Sequence, residues 1–241
     1  MQSWNLGILV TGSGRNTQKG QRRLPMPRGE GGGPTVSPKS DQARGMDDLG
    51  SGRPGRVREM EAHAVATELL AGVGTRVAHS RAVAHQASVV VPVLDAPWSS
   101  ALLDAAWLHD VGYSPSVAVT GFHPLDGARW LSAHGWPAEV CRLVAWHTRS
   151  GTEATLRHLT AELTTEFPPP PDVAQAALAW ADLTSSPVGE CCLATDRVAD
   201  ILRRYPPESV VHRATSANLP DLLMDVLLIE TKIDAARVVL R

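Results

Sequence analysis

Residues 105–115, AAWLHDVGYSP, end an apolar, helix-favouring run with an imidazole beside a carboxylate, then break it with a glycine and a proline. The run belongs to a helix expected from Trp98 to His109, with Ser99 or Ser100 as candidate cap, Gly112 as the stop and Pro115 barring continuation. An ionisable group in or beside an apolar stretch is costly unless something binds it. His109 and Asp110 together imply that something needs both.

Outward from this stretch, the periodicity from residue 58 onward is helical almost throughout. REMEAHAVATELLAGV (58–73) places Met60, Ala64, Leu69 and Val73 near one face, and TRVAHSRAVAHQASVVVPVL (75–94) begins with Thr75, which is able to cap. HPLDGARWLSAHG (123–135) and PAEVCRLVAWHTRSG (137–151) each end in a glycine, and Pro137 stands in the first turn of the latter. TEATLRHLTAEL (152–163) follows, then the break FPPPPD (167–172), then VAQAALAWADLTSS (173–186). The last stretch, LPDLLMDVLLIETKIDAARVVLR (219–241), keeps Leu222, Val226, Ile229, Ile233 and Ala236 in one stripe. No strand alternation competes and no internal repeat stands out, so the expectation is all-α, a bundle of seven or more helices.

A chain of 241 residues has ample material for a real core. Residues 1–57 hold 12 of the 20 glycines and five of the 18 prolines, including GEGGGPTVSPKS (29–40), with hardly a repeated apolar position. Such a segment cannot bury enough surface to offset its ordering entropy, so it reads as a disordered tail. The tail carries nine Lys/Arg against four Asp/Glu, and residues 58–241 carry 14 against 21, which makes the folded domain acidic. The tail's scattered charges read as a solvated extension, and Met46 and Met60 leave open a later start. No apolar run approaches the ~20 residues that cross a bilayer. LGILV (6–10) is too short, with no basic segment before it, to be a signal peptide. A cytoplasmic protein with no membrane partner is expected. Cys141, Cys191 and Cys192 form no CxxC pair and read as reduced thiols.

The metal-capable residues fall on these helices in a particular order. His79 lies in the second; His109 and Asp110 end the third; His123 begins the fourth; His147 ends the fifth; Asp182 sits late in the helix after the proline run. Trp107, Trp146 and Trp180 each precede a candidate ligand by one or two residues. A lone interface histidine is ordinarily a hydrogen-bonded core residue; six such residues in this order are harder to explain that way.

AHS (78–80), LHDVGY (108–113), FHPLDGA (122–128), WHTRSG (146–151) and ADLTSS (181–186) resemble the HD superfamily of metal-dependent phosphohydrolases, an all-α fold named for its adjacent His-Asp pair. The resemblance spans roughly residues 58–190. It implies that His79, His109, Asp110 and Asp182 bind a first metal. His123 and His147 match the extra histidines of two-metal members, with Asp110 bridging and central to catalysis. The implied cofactor is a divalent metal, as two ions, and these ligand types do not distinguish Fe, Mn, Co, Ni or Zn. In that arrangement the ions lower the pKa of a bound water and neutralise charge on a phosphoryl group. The histidines must bind as neutral imidazoles, so affinity should collapse in acid.

Other residues fall outside the resemblance. His85 is six positions from His79 and points to another helix face; His63, His134, His158 and His212 lie outside every matching motif. Arg149 either holds a substrate phosphate bidentately or is a solvated arginine after a helix end. Asp126 either orients a ligand histidine or is an ordinary first-turn acid. The cyclic-dinucleotide phosphodiesterase branch carries His-His-Glu and Gly-Tyr-Pro, whereas this chain has GYSP (112–115) and no His-His-Glu. The spacing of HP, WHT and AD is nearer to bacterial HD hydrolases of diadenosine tetraphosphate. HDVGYSP and the long gap from His147 to Asp182 depart from that group, and small HD proteins of undefined substrate are as close.

The domain is acidic, lacks a GxxxxGK[ST] loop and shows few cationic side chains near the candidate ligands, so metals are expected to supply most phosphate recognition. The expected reaction is therefore hydrolysis of a small phosphorylated substrate, an ester or nucleotide, and no long nucleic acid is expected as a partner. Two alternatives stay open: a di-iron HD-type oxygenase, and a regulatory module that binds a nucleotide through a metal without turnover.

Overall fold

A helix that is apolar all round belongs in the middle of a protein. That describes α3 (Trp98–Leu108), where Ala101, Leu102, Ala105, Ala106, Trp107 and Leu108 are all buried. The structure, a computed structural model, describes residues 54–239, with side chains over 59–238. The disordered tail expected over 1–57 lies, apart from its last four residues, outside the described residues; those four open α1 (Pro54–Leu69).

Packed against α3 are α1, α2 (Arg76–Val90), α5 (Ala138–Trp146) and α8 (Asp172–Leu183). The other helices are α4 (His123–Ala133), α6 (Gly151–Leu156), α7 (Thr160–Glu166), α9 (Ala194–Arg204) and α10 (Val210–Val239). Among the described residues no β-strand forms, and the all-α expectation holds. Phe122, Leu125 and Leu131 around α4, Leu143 and Val144 of α5, and Leu178 of α8 fill one core. Alanines 174, 176, 177, 179 and 181 of α8 are also buried, and such small side chains let neighbouring helices approach closely. A second, smaller cluster joins Leu183, Ala194, Val198 and Leu222. No described helix is long and apolar enough to cross a membrane.

Several local expectations are corrected. The inward residues of α1 are Ala62 and Ala66, followed by Leu70 just past its end, and Met60 is 71% exposed. An alanine-rich helix offers two candidate stripes, and packing chose the one with the smaller residues. Neither Ser99 nor Ser100 caps α3; the Ser100 hydroxyl donates to the Pro97 carbonyl at 2.9 Å. Thr75 does stand at the cap position of α2, without a side-chain capping bond. Residues 152–163 are two short helices, because His158 adopts φ +60° and ends α6. The last helix begins at Val210, which puts Pro220 in its interior. α9 fell in a stretch with no expected helix.

Candidate metal centre

The last carbonyls of a helix lack intrahelical partners, and two of the histidines use this to aim themselves. At the end of α3, His109 donates from Nδ1 to the Ala106 carbonyl at 3.0 Å. Just past α5, His147 donates from Nδ1 to the Val144 carbonyl at 2.6 Å. Both bonds run three residues back, and a carbonyl can only accept. In its neutral form each ring therefore carries its proton on Nδ1 and turns a free Nε2 lone pair outward. His79, in the first turn of α2, does the same across the chain, donating from Nδ1 to the Ser186 carbonyl at 3.1 Å.

The six sequence-predicted ligands come together in two groups, His79, His109 and Asp182, and Asp110, His123 and His147; within each group the ligand atoms lie within 4.8 Å of one another. His79 Nε2 stands 2.9 Å from Asp182 Oδ1, and the Thr148 hydroxyl donates to Asp182 Oδ2 at 2.8 Å. The Nε2 atoms of His123 and His147 are 3.0 Å apart. Asp110 spans both groups: Oδ2 lies 3.6 Å from His109 Nε2 and Oδ1 3.6 Å from His123 Nε2. His109 Nε2 is buried with no hydrogen-bond partner. An orphaned lone pair among imidazoles and carboxylates is what a borderline divalent cation fits.

Electrostatics favour ligand protonation states at several positions. Burial alone would raise the Asp110 carboxyl, but the neighbouring His109 ring, the Arg76 guanidinium and the His123 ring outweigh it and hold the group well below the carboxylate range. Burial likewise opposes ionisation of Asp182, and the hydrogen bond from His79 reverses it. Burial pushes His109 down, and burial with the neighbouring His147 pushes His123 further down, which favours the neutral form that binds a metal. His79 differs: burial lowers it, yet its bond to Asp182 raises it overall, which favours its protonated form in the metal-free protein.

Asp126 is buried and accepts from the backbone N–H groups of Val119, Thr120 and Gly121 and from the Thr120 hydroxyl. It orders the loop that delivers His123, and so acts on the chain leading to that ligand.

Apart from the fully buried His109, the six ligands form the floor of a cavity of about 320 Å³. Here the expectation of few nearby cations is corrected, because Arg76, Arg149, Arg197 and Arg204 all line it. Arg76 donates to Asp110 Oδ2 at 2.5 Å and lies over the Tyr113 ring, which itself stacks on His123. Arg76 was missed, although it precedes His79 by three residues and so shares its helix face. Arg149 faces the cavity, but its guanidinium is engaged bidentately by the buried Asp225 of α10. Its backbone and that of Thr148 are left-handed, with φ +58° and +50°. His63, His85, His134, His158 and His212 do not line this cavity. The described cysteines are unpaired, and burial pushes the Cys141 thiol up to about 11. No family model, no curated protein and no solved structure matches the chain, so the geometry of this centre carries the functional argument.

Proposed function

We propose that this chain is a metal-dependent phosphohydrolase of HD type that cleaves a small phosphate ester or nucleotide. The observation that carries the reading is convergence: four imidazoles and two carboxylates from five separate segments come together, five of the six lining one cavity and the sixth, His109, holding a buried and unpartnered nitrogen. Divalent ions bound there would supply Lewis acidity and a hydroxide nucleophile near neutral pH. The chain's own residues hold the ligands through backbone carbonyls, keep Asp110 ionised between the two groups, and ring the cavity with guanidinium groups. Arginine on the walls favours a phosphorylated substrate, and a cavity of this size favours a small one. Long nucleic acid would need an extended basic groove instead. Two ions sharing Asp110, drawn from Fe, Mn, Co, Ni or Zn, and a cytoplasmic setting belong to the same proposal.

The test is anaerobic elemental analysis followed by an assay of mononucleotides, dinucleoside polyphosphates and small phosphoesters. About two ions per chain are expected, with turnover stimulated by Mn, Fe or Co and lost with chelator. Chelator-resistant turnover by well-purified protein would overturn the metal reading. Oxygen consumption without phosphate release would mean a di-iron oxygenase, and tight nucleotide binding without product a regulatory module.

A further inference from the structure

α9 lies beyond the motifs of the metal centre, yet it supplies one wall of the cavity. Its spacing explains how. Ala194, Val198 and Leu202 recur at i, i+4 and i+8 and pack against Leu183 and Leu222. That contact turns Arg197, Ile201 and Arg204, at i, i+4 and i+7, to the cavity.

Most charged groups around the cavity are matched: Arg76 with Asp110, Arg149 with Asp225, Arg157 with Glu153, His79 with Asp182. The α9 wall is not. Arg203 donates to Asp200 Oδ1, Arg204 is ion-paired with the same carboxylate, and Arg197 Nη1 stands 3.7 Å from its Oδ2, beyond hydrogen-bond distance. Three guanidinium groups thus share one carboxylate. Arg197 is the least satisfied of them: its side chain is 13% exposed, and Nε and Nη1 are buried with no hydrogen-bond partner. Burial and the charges of Arg197 and Arg76 push Arg204 below its ordinary value, as expected of like charges crowded into one wall. A buried guanidinium short of acceptors is costly, and an oxyanion is the group that completes it.

We propose that Arg197 and Arg204 form a subsite for a second phosphoryl group of the substrate, beyond the one that reacts at the His/Asp floor. Placing the reacting phosphate rests on the phosphohydrolase reading; the subsite itself needs no metal. The preferred substrate then carries at least two phosphates, and α9 sets that preference.

The experiment titrates the full chain, stripped of metal by chelator and dialysed, with orthophosphate, pyrophosphate and tripolyphosphate. At least one condensed phosphate should bind about tenfold or more tighter than orthophosphate. Arg197→Met should weaken it about tenfold, and Arg204→Met should weaken it as well. Arg197→Lys should retain more binding than Arg197→Met, because it keeps the charge. Arg129→Met, which breaks an exposed pair with Glu166 away from the cavity, should bind like the parent. If Arg197→Met fails to fold, Arg204→Met and the parent's preference over orthophosphate decide the matter. Equal affinity in the parent and Arg204→Met, or no preference for condensed phosphates, overturns the subsite. Arg197-dependent binding by a chain that takes up no metal would sink the phosphohydrolase reading and leave the subsite standing. Metal-dependent turnover with no condensed-phosphate preference would sink the subsite alone.

Discussion

Asp110 bears most of the proposed chemistry because its two oxygens face different ligand groups while Arg76 anchors it from the side. Asp110→Ala should therefore abolish both metal retention and turnover, whereas His147→Ala should lower metal content by about half. Full metal content in Asp110→Ala, by elemental analysis, breaks the assignment. His79 makes a different prediction. Its hydrogen bond to Asp182 holds it above the ordinary value of 6.5. A group raised in the folded state contributes stability that is fully present below its unfolded pKa and lost as pH climbs through the folded one. The metal-free fold should thus lose this contribution above pH 6.5, and metal uptake near neutral pH must expel the proton. Titration in buffers of different ionisation enthalpy should show release of about one proton per chain, suppressed in His79→Gln. A buffer-independent enthalpy in the parent would mean that His79 is already neutral or takes no part.

Helix ends and turns hold the centre in shape. The 3-10 turn Val111–Tyr113 passes so close to α4 that a Cβ on Gly112 would sit 2.0 Å from the His123 carbonyl oxygen and 2.8 Å from its Cα. Those are backbone atoms and cannot swing aside. Gly112→Ala should cost about 1–3 kcal/mol, read as a melting temperature several degrees lower, and should displace His123 with loss of metal. A second contact joins α10 to the turn that carries His147. Asp225 grips the Arg149 side chain, and the Asn218 amide donates to the Arg149 carbonyl at 2.8 Å. Together they hold two left-handed residues in place. Arg149→Ala strands a buried carboxylate and should cost about 1–3 kcal/mol in urea unfolding, less than a fully buried pair because Arg149 is partly exposed. Unchanged stability with weakened phosphate binding would instead make Arg149 the substrate ligand that the sequence suggested.

For the molecule as a whole, packing among the described residues begins in α1. Ala62 and Ala66 of α1, and Leu70 just past its end, are buried against the core, and the Gly/Pro-rich composition belongs to residues before Pro54. A chain beginning at Pro54 should therefore keep the parent's metal content and turnover and melt within a few degrees of it, since ~1 kcal/mol moves a domain of this size by only that much. A larger drop, measured by calorimetry, would mean that residues 1–53 dock on the domain.

The sequence by itself determined most of the helices, α9 excepted, and the all-α class, and its motifs named the six residues of the candidate centre. Each of these rests on signals within a few residues: an apolar period, a glycine or proline stop, a histidine three residues past the carbonyl that orients it. The motifs carried the order of the ligands for the same reason, since each ligand lies in a helix or at its end. What the tertiary structure alone decided are the relations across the chain. Which stripe of α1 faces inward, and that the α9 arginines look into the cavity, depend on the shape of neighbouring helices. Arg76 meets Asp110 across 34 positions and Arg149 meets Asp225 across 76, so no local spacing foretells either pair. The acidic net charge concealed the cationic cavity for the same physical reason: a sum over residues holds no record of where they gather once the chain has packed.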